Sequence, residues 1–222
     1  MDVRVANDAA SAAEEAASWT AHHLRNAVVR RGTAALAVSG GTSPAVMFAL
    51  LAGMDVPWDQ VLLYQVDERV APDGDAVRNA ALLDLLPVKP DHLRAMPVTD
   101  ADLVAACACY AATLPPRFDV VHLGLGDDGH TASWPPGDPV VESPAAVALC
   151  GIYRGYVRMT LTPLVVNAAR HRLVLAAGPE KAVALERWLL GDPDVPVHHV
   201  RRTDTVLVVD QAAAARLPGA PR

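Results

Sequence analysis

The sequence predicts an α/β fold: a doubly wound, mostly parallel sheet with helices on both faces, a Rossmann-like three-layer sandwich with room for a small annex. Three observations predict it. Strand-like and helix-like segments alternate along the chain. Most strand candidates are near-continuous apolar runs, as strands buried on both faces require. No internal repeat, heptad pattern or low-complexity linker divides the 222 residues, so 1–222 is expected to form a single domain.

The elements follow in order. Ala9–Arg31 reads as an amphipathic helix, with Ala13, Ala17, Leu24 and Val28 on one face and Gly32 at its end. Ala34–Val38 is a buried-strand candidate, followed by Ser39-Gly40-Gly41-Thr42-Ser43-Pro44 and a helical stretch Ala45–Leu51. Val61–Val66 is a second strand, closed by Asp67-Glu68-Arg69. Ala76–Leu86 and Ala101–Leu114 read as helices, the latter stopped by Pro115-Pro116. Asp119–Leu123 is a third strand. Ala145–Leu149 and Tyr156–Thr160 give weaker strand signals. Arg172–Ala176 is a strand, Gly178-Pro179 opens a helix to about Leu190, and Thr205–Val209 is the last strand. The proline-rich and glycine-rich stretches at 135–137 and 191–196 read as loops inside the domain.

Composition narrows the function. The hydrophobic fraction is 52% and the formal net charge −6. No Lys/Arg cluster offers a phosphate-backbone footprint, so nucleic acid is not expected as a partner. Arg201-Arg202 beside His198-His199 fits an exposed loop. Met1–Trp19 is alanine-rich and acidic, without the basic and apolar regions of a signal peptide. No stretch is apolar enough to span a bilayer. The three cysteines form no C-x-x-C, and a reduced, cytoplasmic setting is expected. Only Lys89 and Lys181 are lysines among 19 basic residues, so each lysine invites a specific role.

In a parallel α/β sheet, ligands bind beyond the carboxyl ends of the strands. Four polar segments fall there: Ser39–Thr42, Asp67–Arg69, Gly124–His130 and the turn to Lys181. In the first, Gly40 and Gly41 let the backbone approach a ligand, and Thr42 or Ser43 can N-cap the next helix. Free amides and the helix dipole favour an anion there, although a plain strand-to-helix turn uses the same residues. The loop lacks a Walker ending and a nucleophile elbow.

Gly124, Gly126 and Gly129 spell a literal G-x-G-x-x-G. A dinucleotide site also needs a helix at the third glycine and an acid ending the next strand. Trp134-Pro135-Pro136-Gly137 stops any helix, and the next strand candidate ends at Cys150-Gly151. No nicotinamide cofactor is expected. His130 follows that strand end with Asp127 and Asp128 just before it. A carboxylate can fix the tautomer of an imidazole and raise its basicity, as a general base requires. A structural or surface histidine is the plainer alternative. The remaining histidines lack ligand spacing, so no metal is expected. Arg69 reads either as part of a solvated turn or as an anion clamp. Lys181, in a helix's first turn, favours an anion nearby or is simply exposed. Arg158 is either a solvated strand residue or a second phosphate ligand.

Taken together, these segments resemble the lactonase branch of the glucosamine-6-phosphate isomerase/6-phosphogluconolactonase superfamily. The matching pieces are Leu36–Pro44, Val66–Arg69, Asn79 with Leu82-Leu83, Gly124–Ser133, Arg158–Thr162 and Gly178–Ala182. The resemblance implies hydrolysis of 6-phospho-D-glucono-1,5-lactone with no metal and no cofactor. It implies His130 as general base, Asp128 orienting it, and Arg69 facing the reacting centre. It implies Ser39, Gly40, Gly41, Thr42, Asp67, Asn79, Arg158 and Lys181 around the phosphate and sugar. The partner is then a small phosphosugar lactone, and the chain a monomer or small homo-oligomer. The sister isomerases usually carry Asp-Glu-Tyr and Asn-Glu-Pro where this chain has Asp67-Glu68-Arg69 and Ser133-Trp134-Pro135. Their amino-sugar activity is the alternative enzyme reading. A sugar-phosphate sensor is a remote third, since residues 1–33 hold one helix and no basic DNA-binding face. Two departures from the usual lactonase pattern are Trp134-Pro135-Pro136 in place of Leu-Phe-Pro, and Arg78 before Asn79.

Overall fold

The computed structural model describes residues 1–217. Its centre is a sheet of seven strands: β1 (Asp2–Ala6), β2 (Ala34–Val38), β3 (Val61–Gln65), β5 (Leu93–Arg94), β6 (Val120–Gly124), β9 (His171–Ala176) and β10 (Thr205–Asp210). Their spatial order is β1-β10-β9-β6-β2-β3-β5, and every pairing is parallel. A second sheet, ordered β4-β8-β7, is antiparallel and built from β4 (Asp67–Arg69), β7 (Val147–Tyr153) and β8 (Tyr156–Leu161). This sheet is the annex. The helices are α1 (Ala9–Arg31), α2 (Thr42–Ala52), α3 (Leu103–Thr113), α4 (Pro163–Ala168) and α5 (Ala182–Leu190).

The alternation of side chains along the parallel strands makes the three layers. Leu36, Val38, Leu63, Val120 and Leu173 bury one face against Leu24 of α1 and Met47, Phe48 and Leu51 of α2. Ala35, Ala37, Tyr64, Val121 and Val174 bury the other against Tyr110 of α3, Trp188 of α5 and Met159 and Leu161 of the small sheet. Helix α1 has the expected bounds. Asp8 caps it by accepting from the Ser11 amide at 2.7 Å, and Gly32 ends it at φ 79. Trp19, His23 and His171 stack where α1 crosses β9, with the two imidazole centroids 4.0 Å apart.

Several expectations are corrected. Asp67–Arg69 is a strand of the small sheet in its own right and does not extend β3. The 145–149 and 156–160 segments belong to the small sheet too. The expected helix at 76–86 is a 3-10 segment, Asn79–Leu85, whose first two amides, Asn79 and Ala80, donate to Glu68. Neither Thr42 nor Ser43 caps α2. Gly41 is the N-cap, at φ 133, without a side-chain hydrogen bond. Strand β1 escaped notice because it is a short edge strand with Val3 and Val5 exposed.

One core group predicts an acid response. His122, on β6, is fully buried edge-on to Phe48 at 5.6 Å, and neither ring nitrogen has a partner among the described residues. Burial pushes its pKa down from 6.5 to about 3. The unfolded chain therefore takes up this proton near pH 6.5, and the folded chain only near pH 3. Between those values the unfolded state binds more protons, so stability falls as pH falls. His122→Leu is expected to unfold at a lower pH than the parent, measured by acid titration of the circular dichroism signal.

Candidate active site

The four polar segments meet. Residues 39–44 after β2, Asp67 and Arg69 on β4, residues 124–126 and 130–132 after β6, and residues 175–177 and 180–181 at the end of β9 line one cavity of about 470 Å³. It opens beyond the carboxyl ends of the central strands, where the order of connections reverses.

The 124–132 loop is a tight turn that returns on itself. The Gly126 amide donates to the His130 carbonyl at 2.7 Å, and the Thr131 hydroxyl donates to the Gly124 carbonyl at 2.8 Å. No helix follows Gly129, which removes the dinucleotide geometry. Gly126 has a different purpose. A Cβ there would lie 1.9 Å from Nδ1 of His130 and 2.7 Å from Oδ1 of Asp128. Only glycine lets this imidazole fold back over its own loop.

His130 is thereby held by Asp128. Its Nδ1 lies 2.6 Å from Asp128 Oδ1, and its backbone amide donates to the same oxygen at 3.1 Å. Burial works against the Asp128 carboxylate, but hydrogen bonds from His130 and Tyr153 outweigh that and hold its pKa well below the usual carboxylate range. An ionised Asp128 keeps the proton on Nδ1, so Nε2 offers its lone pair to the cavity. Asp127 is not the orienting group. It points outward to Arg154, at 2.6 Å. Asp127, Asp128 and His130 are close enough to share an ion, but their near donor atoms are already paired with Arg154, Tyr153 and each other.

The opposite wall comes from the small sheet. Asp67 is buried and accepts from the Ser133 hydroxyl at 2.7 Å; burial pushes its pKa up, against that bond and the nearby Arg158. Arg69 and Arg158 are register partners across β4 and β8, so their side chains leave one face together. Arg69 Nη1 donates to the Val77 carbonyl and, at 3.4 Å, to Asn79 Oδ1. Arg158 makes no such bond. It is 5% exposed, its Nε has no partner among the described residues, and its guanidinium lies 5.1 Å from the Tyr153 ring centre. Burial lowers its pKa.

Glu68 anchors this wall. Fully buried, it accepts from Gln65 Nε2, Arg69 N, Asn79 N and Ala80 N, each at 2.8 Å. Arg78 pairs with it at 3.5 Å, which accounts for that departure from the usual pattern. Asn79 donates to the Asp67 carbonyl at 3.0 Å and lies so close to Gly40 that a Cβ there would be 2.0 Å from Oδ1. Trp134, the other departure, is fully buried and donates from Nε1 to the Leu161 carbonyl at 2.8 Å.

The remaining expected residues line the same cavity. Ser39 presents a buried hydroxyl without a partner among the described residues. Gly41 and Thr42 place the amino end of α2 at the cavity wall. Lys181 sits at the start of α5, 3.6 Å from Glu180. Sequence reasoning missed Arg154 as a cavity group and Tyr153 as a partner of Asp128 and His130, and left Glu68 unassigned. The carboxylate run at 67–68 was a visible signal for Glu68; nothing local marks Tyr153.

Known proteins share this chain's sequence and fold. A relative from Streptomyces coelicolor called 6-phosphogluconolactonase is 34% identical, covering 93% of this chain and 90% of the relative. A crystal structure of a 6-phosphogluconolactonase from Shewanella baltica superposes with a TM-score of 0.86 at 26% identity, covering 95% of this chain and 97% of that one. A monomeric glucosamine-6-phosphate deaminase superposes nearly as well, with a TM-score of 0.85 at 19% identity over 97% and 100% of the two chains. The fold is therefore common to both chemistries, and the residues at the site must separate them. The profile described as glucosamine-6-phosphate isomerases/6-phosphogluconolactonase matches residues 7–209, and this chain belongs to that family.

Proposed function

We propose that this protein hydrolyses 6-phospho-D-glucono-1,5-lactone to 6-phospho-D-gluconate. One observation carries the reading: an Asp128–His130 pair whose free Nε2 faces a cavity rich in fixed cations. A phosphorylated, uncharged ester ring suits such a cavity. The phosphate meets charge, and the reacting carbon meets a base.

His130 Nε2 takes a proton from water as the water oxygen bonds to C1 of the lactone. The carbonyl oxygen becomes an oxyanion. As the carbonyl re-forms, the bond from C1 to the ring oxygen breaks, and the imidazolium returns its proton to that oxygen. Every proton is accounted for by one imidazole. Asp128 stabilises the transient imidazolium. The lactone also hydrolyses unaided, so general-base help of about 10²–10⁴-fold is sufficient and no covalent intermediate is needed.

We exchange the two arginines relative to the roles that the resemblance implies. Arg158, set against Tyr153 beside His130, is the cation we place at the oxyanion. Arg69 is turned toward Asn79 and Gly40. We place it with Ser39, Gly41, Thr42 and Lys181 around the phosphate, where the amino end of α2 adds its dipole. Asp67 and Asn79 shape the wall between these ends.

The test generates the lactone in situ and follows its loss against the spontaneous rate, with ammonia release from glucosamine 6-phosphate measured in parallel. Lactone loss at the spontaneous rate rejects the reading, and ammonia release would transfer it to the isomerases. Lys181→Ala is expected to raise KM about 10-fold or more, as loss of a charge-assisted contact does, with kcat nearly unchanged. Steady-state kinetics checks this, and a fall confined to kcat would move Lys181 to the reacting centre.

A further inference from the structure

The hairpin between β7 and β8 reaches back over the catalytic loop. Its ladder is irregular. Cys150 pairs with Arg158 and Tyr153 with Tyr156, so two residues of β7 stand opposite one of β8. In a regular ladder Tyr153 would face away from Arg158, because successive side chains alternate. The extra residue returns Tyr153 to the face of Arg158 and Arg69, the face that lines the cavity. Arg154 and Gly155 close the turn with φ of 49 and 87, the left-handed pair typical of a two-residue hairpin.

Tyr153 lands on the catalytic pair. Its hydroxyl donates to Asp128 Oδ2 and lies 3.0 Å from His130 Nδ1. Its ring meets the imidazole edge-on, with centroids 5.2 Å apart. Guanidinium groups of Arg158 and Arg154 lie 5.1 and 5.3 Å from its centre. Burial and the adjacent Asp128 push the phenol up to about 12, so it stays a donor across the working range.

The division of labour on Asp128 is specific. Oδ1 takes both donors from His130, the ring and the amide. Oδ2 would otherwise be free to swing toward Arg154, 3.9 Å away. That swing would carry Oδ1 off the imidazole. We propose that Tyr153 is a positioning residue of the reaction, whose phenol pins Asp128 on His130 and sets both the aim and the basicity of Nε2. Its effect on rate rests on the lactone reading above; its effect on His130 does not.

The experiment therefore reads both. Diethyl pyrocarbonate modifies unprotonated imidazole, and mass spectrometry of peptides gives the rate at His130 alone as a function of pH. In Tyr153→Phe, Asp128 loses the donor that pins it and turns toward Arg154, so its charge acts less fully on the imidazolium. The His130 modification profile is expected to move to lower pH, and kcat to fall about 10-fold, the effect of one hydrogen bond to a charged group, with KM little changed. Tyr153→Leu, which also removes the ring, should move the profile equally. An unshifted profile in a folded Tyr153→Phe protein overturns the proposal, as does a shift confined to Tyr153→Leu, which would make ring packing the cause. If the parent protein leaves the lactone at its spontaneous rate, the reaction reading falls alone, and the modification profile still decides Tyr153.

Discussion

His130→Ala is expected to lower kcat by about 10²–10⁴-fold, the usual contribution of a positioned general base, while KM changes by less than about twofold. The asymmetry follows from the geometry. The imidazole is tied to Asp128 and Tyr153, whereas the groups we assign to the phosphate stand elsewhere on the cavity wall. Losing the ring therefore removes proton transfer and leaves the anchoring in place. Initial rates above the spontaneous background, measured over a range of lactone concentrations, check both halves. A His130→Ala protein with parental kcat would remove His130 from the mechanism. Asp128→Asn should fall in the same direction by a smaller factor, because the amide presents a donor or a weaker acceptor to Nδ1 and so relaxes the tautomer.

Glu68→Ala is expected to cost about 3–5 kcal/mol of stability, the range for breaking a buried charged network. Three backbone amides and the Gln65 carboxamide lose their acceptor at once, and the buried Arg78 loses an ion-pair partner 3.5 Å away. In a chain of this size that corresponds to a fall in Tm of about 10 °C. Thermal and denaturant melts measure it. The same variant frees Asn79 from its place against Gly40, so any remaining activity should show a raised KM. A parental melting temperature would mean that the 76–80 loop is held by something other than Glu68.

Helix α1 was legible in the sequence to the residue, because its cap, its apolar stripe and its terminal glycine are all local signals. The core strands were legible for a related reason: a strand buried on both faces is mostly apolar, as Ala34–Val38 and Val206–Val209 are. Strand β1 was not legible, because an edge strand half in solvent needs no such run. Nor was the separate sheet containing Asp67–Arg69. Three charged residues after an apolar run read as a strand end, and only their pairing with Met159 and its neighbours makes them a strand.

By itself the sequence determined the fold class and the four loops that gather at one end of the sheet, from short-range rules of periodicity, capping and turn chemistry. His130 stood level with a structural histidine until the resemblance carried by those loops favoured it. Tertiary structure alone decided that Tyr153 meets the Asp128–His130 pair and that Asp67–Arg69 belongs to a second sheet. Both depend on strand register. A one-residue bulge selects which face a side chain leaves by, and register is set by long-range packing between two sheets that no local window of sequence contains.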